Sequence, residues 1–186
     1  ERRIDAPVVK EKRHGAFNSS HVLPGGKAVS FTLMNYLGCN KDVMTLAHEL
    51  GHGVHGILAG EAQGPLMYHA PIAYCETASV FGEMTTFTLL KDRLMKSGDS
   101  KSLLALIMEK IDSTINTVVR QIGFSNFERR LHGMDHSYST WTGAKKRSAE
   151  ELNSMWLKTA QELYGKEGDV FTYENCENLW AYVPHF

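Results

Sequence analysis

The sequence predicts a mainly α-helical fold with a small β element. Apolar residues recur at three- and four-residue steps over most of the chain after residue 42, whereas only one short stretch alternates apolar and polar residues. The 186 residues, 42% of them hydrophobic, are enough for one ordinary core. Because the net charge is -1 and no apolar run reaches the roughly 18 residues of a membrane span, we expect neither a nucleic-acid nor a membrane partner.

The first predicted elements are a loop region, a strand and a helix. Residues 1–28 mix glycine and proline with polar residues, which is typical of turns with short extended pieces. Apolar and polar side chains alternate from Val29 to Leu37, which predicts a half-buried strand. Helical spacing of apolar residues follows from about Asp42 to Ala59, with Asn40 or Asp42 expected as the N-terminal cap.

Further helices are predicted after a loop that contains glycine and two prolines. Two of them span about Ile72–Met95 and Ser102–Leu131. Ser148 and Glu151 form a capping-box pattern that opens a helix ending near Tyr164. A last helix is expected over Tyr173–Tyr182.

The first predicted helix carries the pattern H-E-x-x-H from His48 to His52. Residues four apart share one face of a helix, so the two imidazoles can bind one zinc ion, which takes nitrogen ligands at about 2.0–2.1 Å. Glu49 projects beside them, free of the metal and near its water, where a general base is needed. The sequence therefore predicts a catalytic zinc site.

Glycines interrupt the same helix at Gly51, Gly53 and Gly56. Each one costs about 1 kcal/mol relative to alanine in a helix interior. Such a cost is usually tolerated where a second backbone must approach closely. We therefore expect close packing against this helix.

A catalytic zinc site needs a third protein ligand and an open fourth position. Glu76 is the candidate, because it lies on the next helix after a loop long enough to turn the chain back. Glu83 lies two turns further along the same face, with Ser79 between, and is expected to accept a hydrogen bond from a ligand imidazole. His55, one turn past His52, is expected to pack beside the ligands or support one of them.

These two stretches resemble a known family. His48–His55 followed by Glu76–Glu83 is similar to the thimet oligopeptidase and oligoendopeptidase F family of zinc metallopeptidases, with the oligoendopeptidase F clade fitting better. The resemblance implies a zincin-type, thermolysin-like catalytic core, built as a helical bundle with an edge strand at the cleft. Because family members are several times longer, it also implies that residues 1–186 are a catalytic segment lacking an N-terminal helical region and a C-terminal tyrosine-rich segment.

The resemblance also implies roles for individual residues. One zinc ion per chain would be held by His48, His52 and Glu76, with Glu49 as the general base. His185 matches the family histidine that steadies the transition state. The implied activity is hydrolysis of peptide bonds within short, unstructured peptides.

Substrate contacts are expected at the strand and in the loop before Glu76. An open edge of the strand Val29–Leu37 could pair with an extended peptide, which would place Asn35 and Gly38 at the substrate. His69 precedes Glu76 closely enough to lie near the same cleft.

Two other functions fit the same residues. One is a metallocarboxypeptidase of similar helical architecture, and the other is a catalytically silent, zinc-stabilised module that binds peptides.

The cysteines indicate a cellular location. Three cysteines far apart fit neither a disulfide framework nor a structural zinc site, which favours a reducing, cytoplasmic location. The sequence does not predict an oligomeric state.

Overall fold

A computed structural model of the protein describes residues 3–134 and 146–183. The chain divides into two compact units, residues 1–109 and 110–186. Its elements are β1 (Ile4–Asp5), β2 (Phe17–Val22), β3 (Ala28–Leu33), α1 (Asn40–Gln63), α2 (Ile72–Ser97), α3 (Ser100–Leu131), α4 (Ala149–Tyr164) and a 3-10 helix (Leu179–Tyr182). The predicted mainly helical fold with a small β element is confirmed. In the described part of the chain, every helix is too short or too polar to cross a lipid bilayer.

The three strands form one sheet in the order β1-β3-β2. β2 pairs with β3 in antiparallel register, from Phe17 opposite Leu33 to Val22 opposite Ala28. β1 pairs with β3 in parallel, with Ile4 opposite Thr32. The strand predicted from the alternating pattern is therefore the central strand of the sheet.

The expected open edge of this strand is wrong for residues 32–36. The main-chain N–H groups of alternate residues there donate to carbonyl groups in and around β1: Thr32 to Arg3, Met34 to Asp5 and Tyr36 to Ala6, at 2.9, 2.9 and 3.0 Å. A substrate cannot pair with groups that are already hydrogen-bonded. Residues 1–28 predict only short extended pieces, and this pattern does not indicate which strand they pair with.

Asp42 forms hydrogen bonds with the main chain just before α1, but it is not the N-cap of this helix. Cys39 is the N-cap, so the expectation of Asn40 or Asp42 at that position is wrong. The Asp42 carboxylate accepts three main-chain N–H bonds, from Leu37 at 2.8 Å, Gly38 at 2.9 Å and Cys39 at 3.2 Å. The bond from Leu37 is the largest cause that lowers the pKa of Asp42.

One face of α1 packs on the sheet through its glycines. A Cβ atom added at Gly53 would lie 2.8 Å from the Ser30 hydroxyl oxygen, and one at Gly60 would lie 2.9 Å from the Ala28 Cβ. Beneath the helix, the Asn18 side-chain amide donates to Ser30 at 2.8 Å and to Thr32 at 2.9 Å. The strands thus reach the helix backbone with their polar side chains hydrogen-bonded.

In the second unit, aromatic side chains pack between α3 and α4. Phe127 is fully buried, and its ring lies edge-on to that of Trp156 at a centroid distance of 5.4 Å. The indole N–H of Trp180 donates to the Asn153 side chain at 2.8 Å, which ties the 3-10 helix to α4. The capping box predicted at Ser148 and Glu151 is confirmed, whereas the helix expected over Tyr173–Tyr182 is only the single turn Leu179–Tyr182.

Replacing Asp42 with asparagine tests the start of α1. The pKa of a hydrogen-bonded carboxylate is lower in the folded than in the unfolded chain, so its stabilising effect is present above the unfolded pKa of about 3.9 and is lost as the pH falls through the folded pKa. We expect Asp42→Asn to lower the free energy of unfolding at pH 7, with the difference from wild type shrinking below about pH 4. Urea unfolding across this pH range measures the difference.

The matched control is Asp92→Asn, at an exposed position of α2. It removes the same charge without removing an acceptor at the start of α1. A pH-independent difference at Asp42, or the same difference at Asp92, would contradict the role of Asp42.

Candidate metal centre

The site is built where α1 and α2 cross in contact. A Cβ atom added at Gly51 would lie 2.5 Å from the Ala78 carbonyl oxygen and 2.8 Å from the Ser79 Cα. A Cβ atom added at Gly82 would lie 2.6 Å from the Ala47 carbonyl oxygen. These are main-chain atoms that cannot rotate away, so only glycine fits at either position. The close packing expected at Gly51 is confirmed.

Three potential metal ligands converge beside this crossing. The Nε2 atoms of His48 and His52 are 3.1 Å apart. The Glu76 Oε2 atom lies 3.4 Å from the first nitrogen and 3.6 Å from the second. Two residues of α1 and one of α2 thus form a nearly equilateral triangle of donor atoms.

The size of this triangle fits zinc. In a tetrahedral site with bonds of about 2.1 Å, any two ligand atoms are about 3.4 Å apart. The three measured separations of 3.1, 3.4 and 3.6 Å lie around this value. Two imidazoles and one carboxylate are also the donors of a known class of catalytic zinc site, with a fourth position left for water.

Glu83 contacts the far side of the His48 ring. Its Oε1 atom lies 2.6 Å from the His48 Nδ1. The carboxylate only accepts, so Nδ1 is the donor and the Nε2 lone pair faces the other ligands. This hydrogen bond is the largest cause that raises the pKa of His48, against burial, which lowers it. The Glu83 carboxylate thus accepts a hydrogen bond from the His48 imidazole.

Glu76 is held by a hydroxyl group of its own helix. Ser79 Oγ donates to Glu76 Oε2 at 2.8 Å. The Glu76 side chain is 48% exposed, whereas that of Glu83 is 20% exposed.

Glu49 lies beside the triangle and is 7% exposed. Burial is the largest cause that raises its pKa, while the nearby His48 and His52 lower it. A carboxylate with a raised pKa accepts a proton more readily than an exposed one. Its position and its environment both suit a general base.

Comparison with known proteins assigns the chain to a family. The family model of peptidase family M3 matches residues 1–181. The chain belongs to peptidase family M3. It is 34% identical to the chromosomal oligoendopeptidase F of Lactococcus lactis subsp. cremoris and 32% identical to the group B oligopeptidase PepB of Streptococcus agalactiae, in both cases over the whole of this chain and 28% of the relative.

The fold also matches a solved structure. A crystal structure of a protein from Chlamydophila abortus, described as a peptidase, superposes with a TM-score of 0.65 and 29% sequence identity. The match covers 99% of this M3 chain and 28% of the other protein. Sequence and fold therefore agree that the chain corresponds to a little over a quarter of the length of its longer relatives.

Four further predicted site residues, Asn35, Gly38, His55 and His69, do not join the triangle of donor atoms. The Asn35 side chain donates to the Arg13 carbonyl at 3.0 Å, and Gly38 forms the turn before α1. His69 is exposed, and its ring packs against that of Tyr68, with the ring centroids 4.1 Å apart. His55 is half-buried one turn beyond His52. His185 lies outside the described residues.

The contribution of Gly82 was missed in the sequence, although a signal for it is present. Ala47 and Gly51 are four residues apart on α1, and Ala78 and Gly82 are four apart on α2. Positions four apart lie on one face of a helix, so each helix offers a small-residue surface. Two such surfaces beside a metal-binding pattern indicate where the two helices cross.

Replacing Gly51 with alanine tests the crossing. The added methyl group meets the Ala78 and Ser79 main chain, so the helices must separate. Overpacking typically costs about 1–3 kcal/mol, more than the roughly 1 kcal/mol gained in helix propensity. We expect a lower free energy of unfolding, measured by urea denaturation followed by circular dichroism.

Gly123→Ala in α3 is the matched control. A Cβ atom there would meet only the Leu163 Cδ1 at 2.7 Å, the end of a flexible side chain. The gain in helix propensity should therefore dominate, leaving stability unchanged or higher. Equal tolerance at Gly51 and Gly123 would show that the crossing is looser than described.

Proposed function

We propose that this protein is a zinc-dependent endopeptidase that cleaves short peptides. The observation that carries the proposal is the triangle of His48, His52 and Glu76 atoms, whose dimensions match tetrahedral zinc. Membership of peptidase family M3 supports peptide hydrolysis. The names of the relatives, an oligoendopeptidase and an oligopeptidase, support short peptides as the substrate class.

In this proposal, His48, His52 and Glu76 hold one zinc ion per chain. Zinc supplies Lewis-acid chemistry when bound, by acidifying a water molecule and polarising the scissile carbonyl group. Glu83 keeps the His48 imidazole in the tautomer that presents Nε2. The residues of α1 and α2 thus hold the reacting groups in place before substrate arrives.

Glu49 performs the proton transfers. Its carboxylate takes a proton from the attacking water and passes it to the amine leaving group. Burial raises the pKa of Glu49, which favours proton acceptance, while the nearby His48 and His52 lower it. His185 is proposed as a hydrogen-bond donor to the oxyanion, on the basis of the family resemblance alone.

The cellular location is part of the same proposal. Cys39, Cys75 and Cys176 are free thiols. Thiols persist in reducing compartments, and we propose a cytoplasmic peptidase.

Replacing Glu49 with glutamine separates catalysis from metal binding. Glutamine keeps the size of the side chain but cannot accept the proton, so we expect kcat to fall by about 10²- to 10⁴-fold. Bound zinc, measured by mass spectrometry under native conditions, should stay at one per chain. A fluorogenic oligopeptide provides the activity assay.

His48→Ala is the companion variant, and it should lose zinc and activity together. A module that binds peptides without cleaving them would be indifferent to Glu49→Gln. Undiminished turnover in Glu49→Gln would therefore contradict the role of Glu49 as the general base. Removing zinc with a chelator should abolish activity, and adding zinc back should restore it.

The cleavage products distinguish an endopeptidase from a carboxypeptidase. An endopeptidase cuts a peptide whose C-terminus is amidated, because it does not read the terminal carboxylate. A carboxypeptidase needs that carboxylate and leaves the amidated peptide intact. We expect internal fragments in the mass spectrum of the digest.

A further inference from the structure

We propose that Ser79 is a positioning residue that turns the Glu76 carboxylate toward the two imidazoles. The proposal rests on the zinc site proposed above and concerns one feature of it, the orientation of the ligand from α2. Ser79 contacts the Glu76 carboxylate and would act through it.

One oxygen atom, Glu76 Oε2, lies close both to the Ser79 hydroxyl and to the two imidazoles. Glu76 Oε2 accepts the Ser79 hydroxyl at 2.8 Å. The same atom lies 3.4 and 3.6 Å from the Nε2 atoms of His48 and His52. A carboxylate oxygen has two lone pairs, so a hydrogen bond to one leaves the other for a metal. The hydroxyl thus selects which oxygen faces the ligand nitrogens.

The hydrogen-bond donor, Ser79, is held in place, whereas the acceptor, the Glu76 side chain, is partly exposed. Ser79 is fully buried, and its Cα lies at the helix crossing, 2.8 Å from where a Cβ at Gly51 would be. The single proton of its hydroxyl group is shared between two acceptors of Glu76 in the same turn of helix, Oε2 at 2.8 Å and the main-chain oxygen at 2.9 Å. The Glu76 side chain is by contrast 48% exposed.

An exposed glutamate loses rotamer freedom when it binds a metal. A hydrogen bond that already holds the carboxylate in the binding orientation reduces this entropic cost, and partners of metal ligands commonly contribute about 10- to 100-fold to metal affinity. Ser79 is the donor that the structure provides for Glu76, as Glu83 is the acceptor for His48.

Other hydroxyl groups on α2 have a different environment. Thr85 donates to the Phe81 carbonyl at 2.8 Å, one turn back along the helix, and is exposed. Removing this hydroxyl changes a helix-surface hydrogen bond and leaves Glu76 untouched. Thr85→Ala is therefore the matched control for Ser79→Ala.

The experiment measures zinc affinity of the purified protein by competition with a chromophoric chelator. We expect Ser79→Ala to raise the zinc Kd by about 10- to 100-fold and Thr85→Ala to change it by less than about twofold. Circular dichroism and urea unfolding of the metal-free variants check that both fold. A Ser79→Ala protein that binds zinc as tightly as wild type would overturn the proposal.

Making Ser79→Ala in the Glu76→Ala protein separates a positioning role of Ser79 from a general effect on the fold. In Glu76→Ala the carboxylate is absent, and the two histidines alone bind zinc. Ser79→Ala should then have no further effect on the Kd, because Ser79 acts through Glu76. An equal loss of affinity with and without Glu76 would mean that Ser79 supports the fold instead, and the proposal would fail.

The outcomes also separate this proposal from the function it rests on. Wild-type protein that binds zinc while Ser79→Ala binds it equally well removes only the role of Ser79. Wild-type protein that binds no zinc removes both.

Discussion

The contact between the α1 and α2 backbones is the constraint on which the site depends. Two of the three proposed ligands come from α1 and one comes from α2, so the distance between the helices sets the size of the triangle they form. Imidazole and carboxylate side chains are short, and metal sites tolerate errors of only about 0.2 Å in their bond lengths. Gly51 and Gly82 permit the approach that brings the donor atoms within range.

The same helix is restrained on another side by the sheet. Glu49 and Gly53 are four residues apart, so they lie on one face of α1, the face that meets Ser30 and Asn18. Glu49, on this face, is 7% exposed. The glycines that weaken α1 as an isolated helix therefore allow the contacts that hold its functional side chains in place.

The charge distribution at the site suits a divalent cation. Carboxylates of Glu49, Glu76 and Glu83 surround the two imidazoles and all raise the pKa of His48. A bound dication offsets several negative charges that would otherwise repel one another. The hydrogen bonds from Ser79 to Glu76 and from His48 to Glu83 hold two of the proposed ligand side chains in orientations compatible with metal binding.

Local patterns in the sequence determined the helices and much of the site. Apolar spacing predicted α1 to α3, and the capping-box pattern predicted α4, each to within a few residues. The pattern at His48–His52 placed two imidazoles on one face. These features depend on neighbours within one or two helical turns. What the sequence did not determine depends on contacts distant along the chain. β2 is mostly polar and forms a strand because it pairs with β3. β3 is the central strand because β1 pairs with its other edge. The approach of Glu76 Oε2 to the imidazoles follows from the packing of α1 against α2.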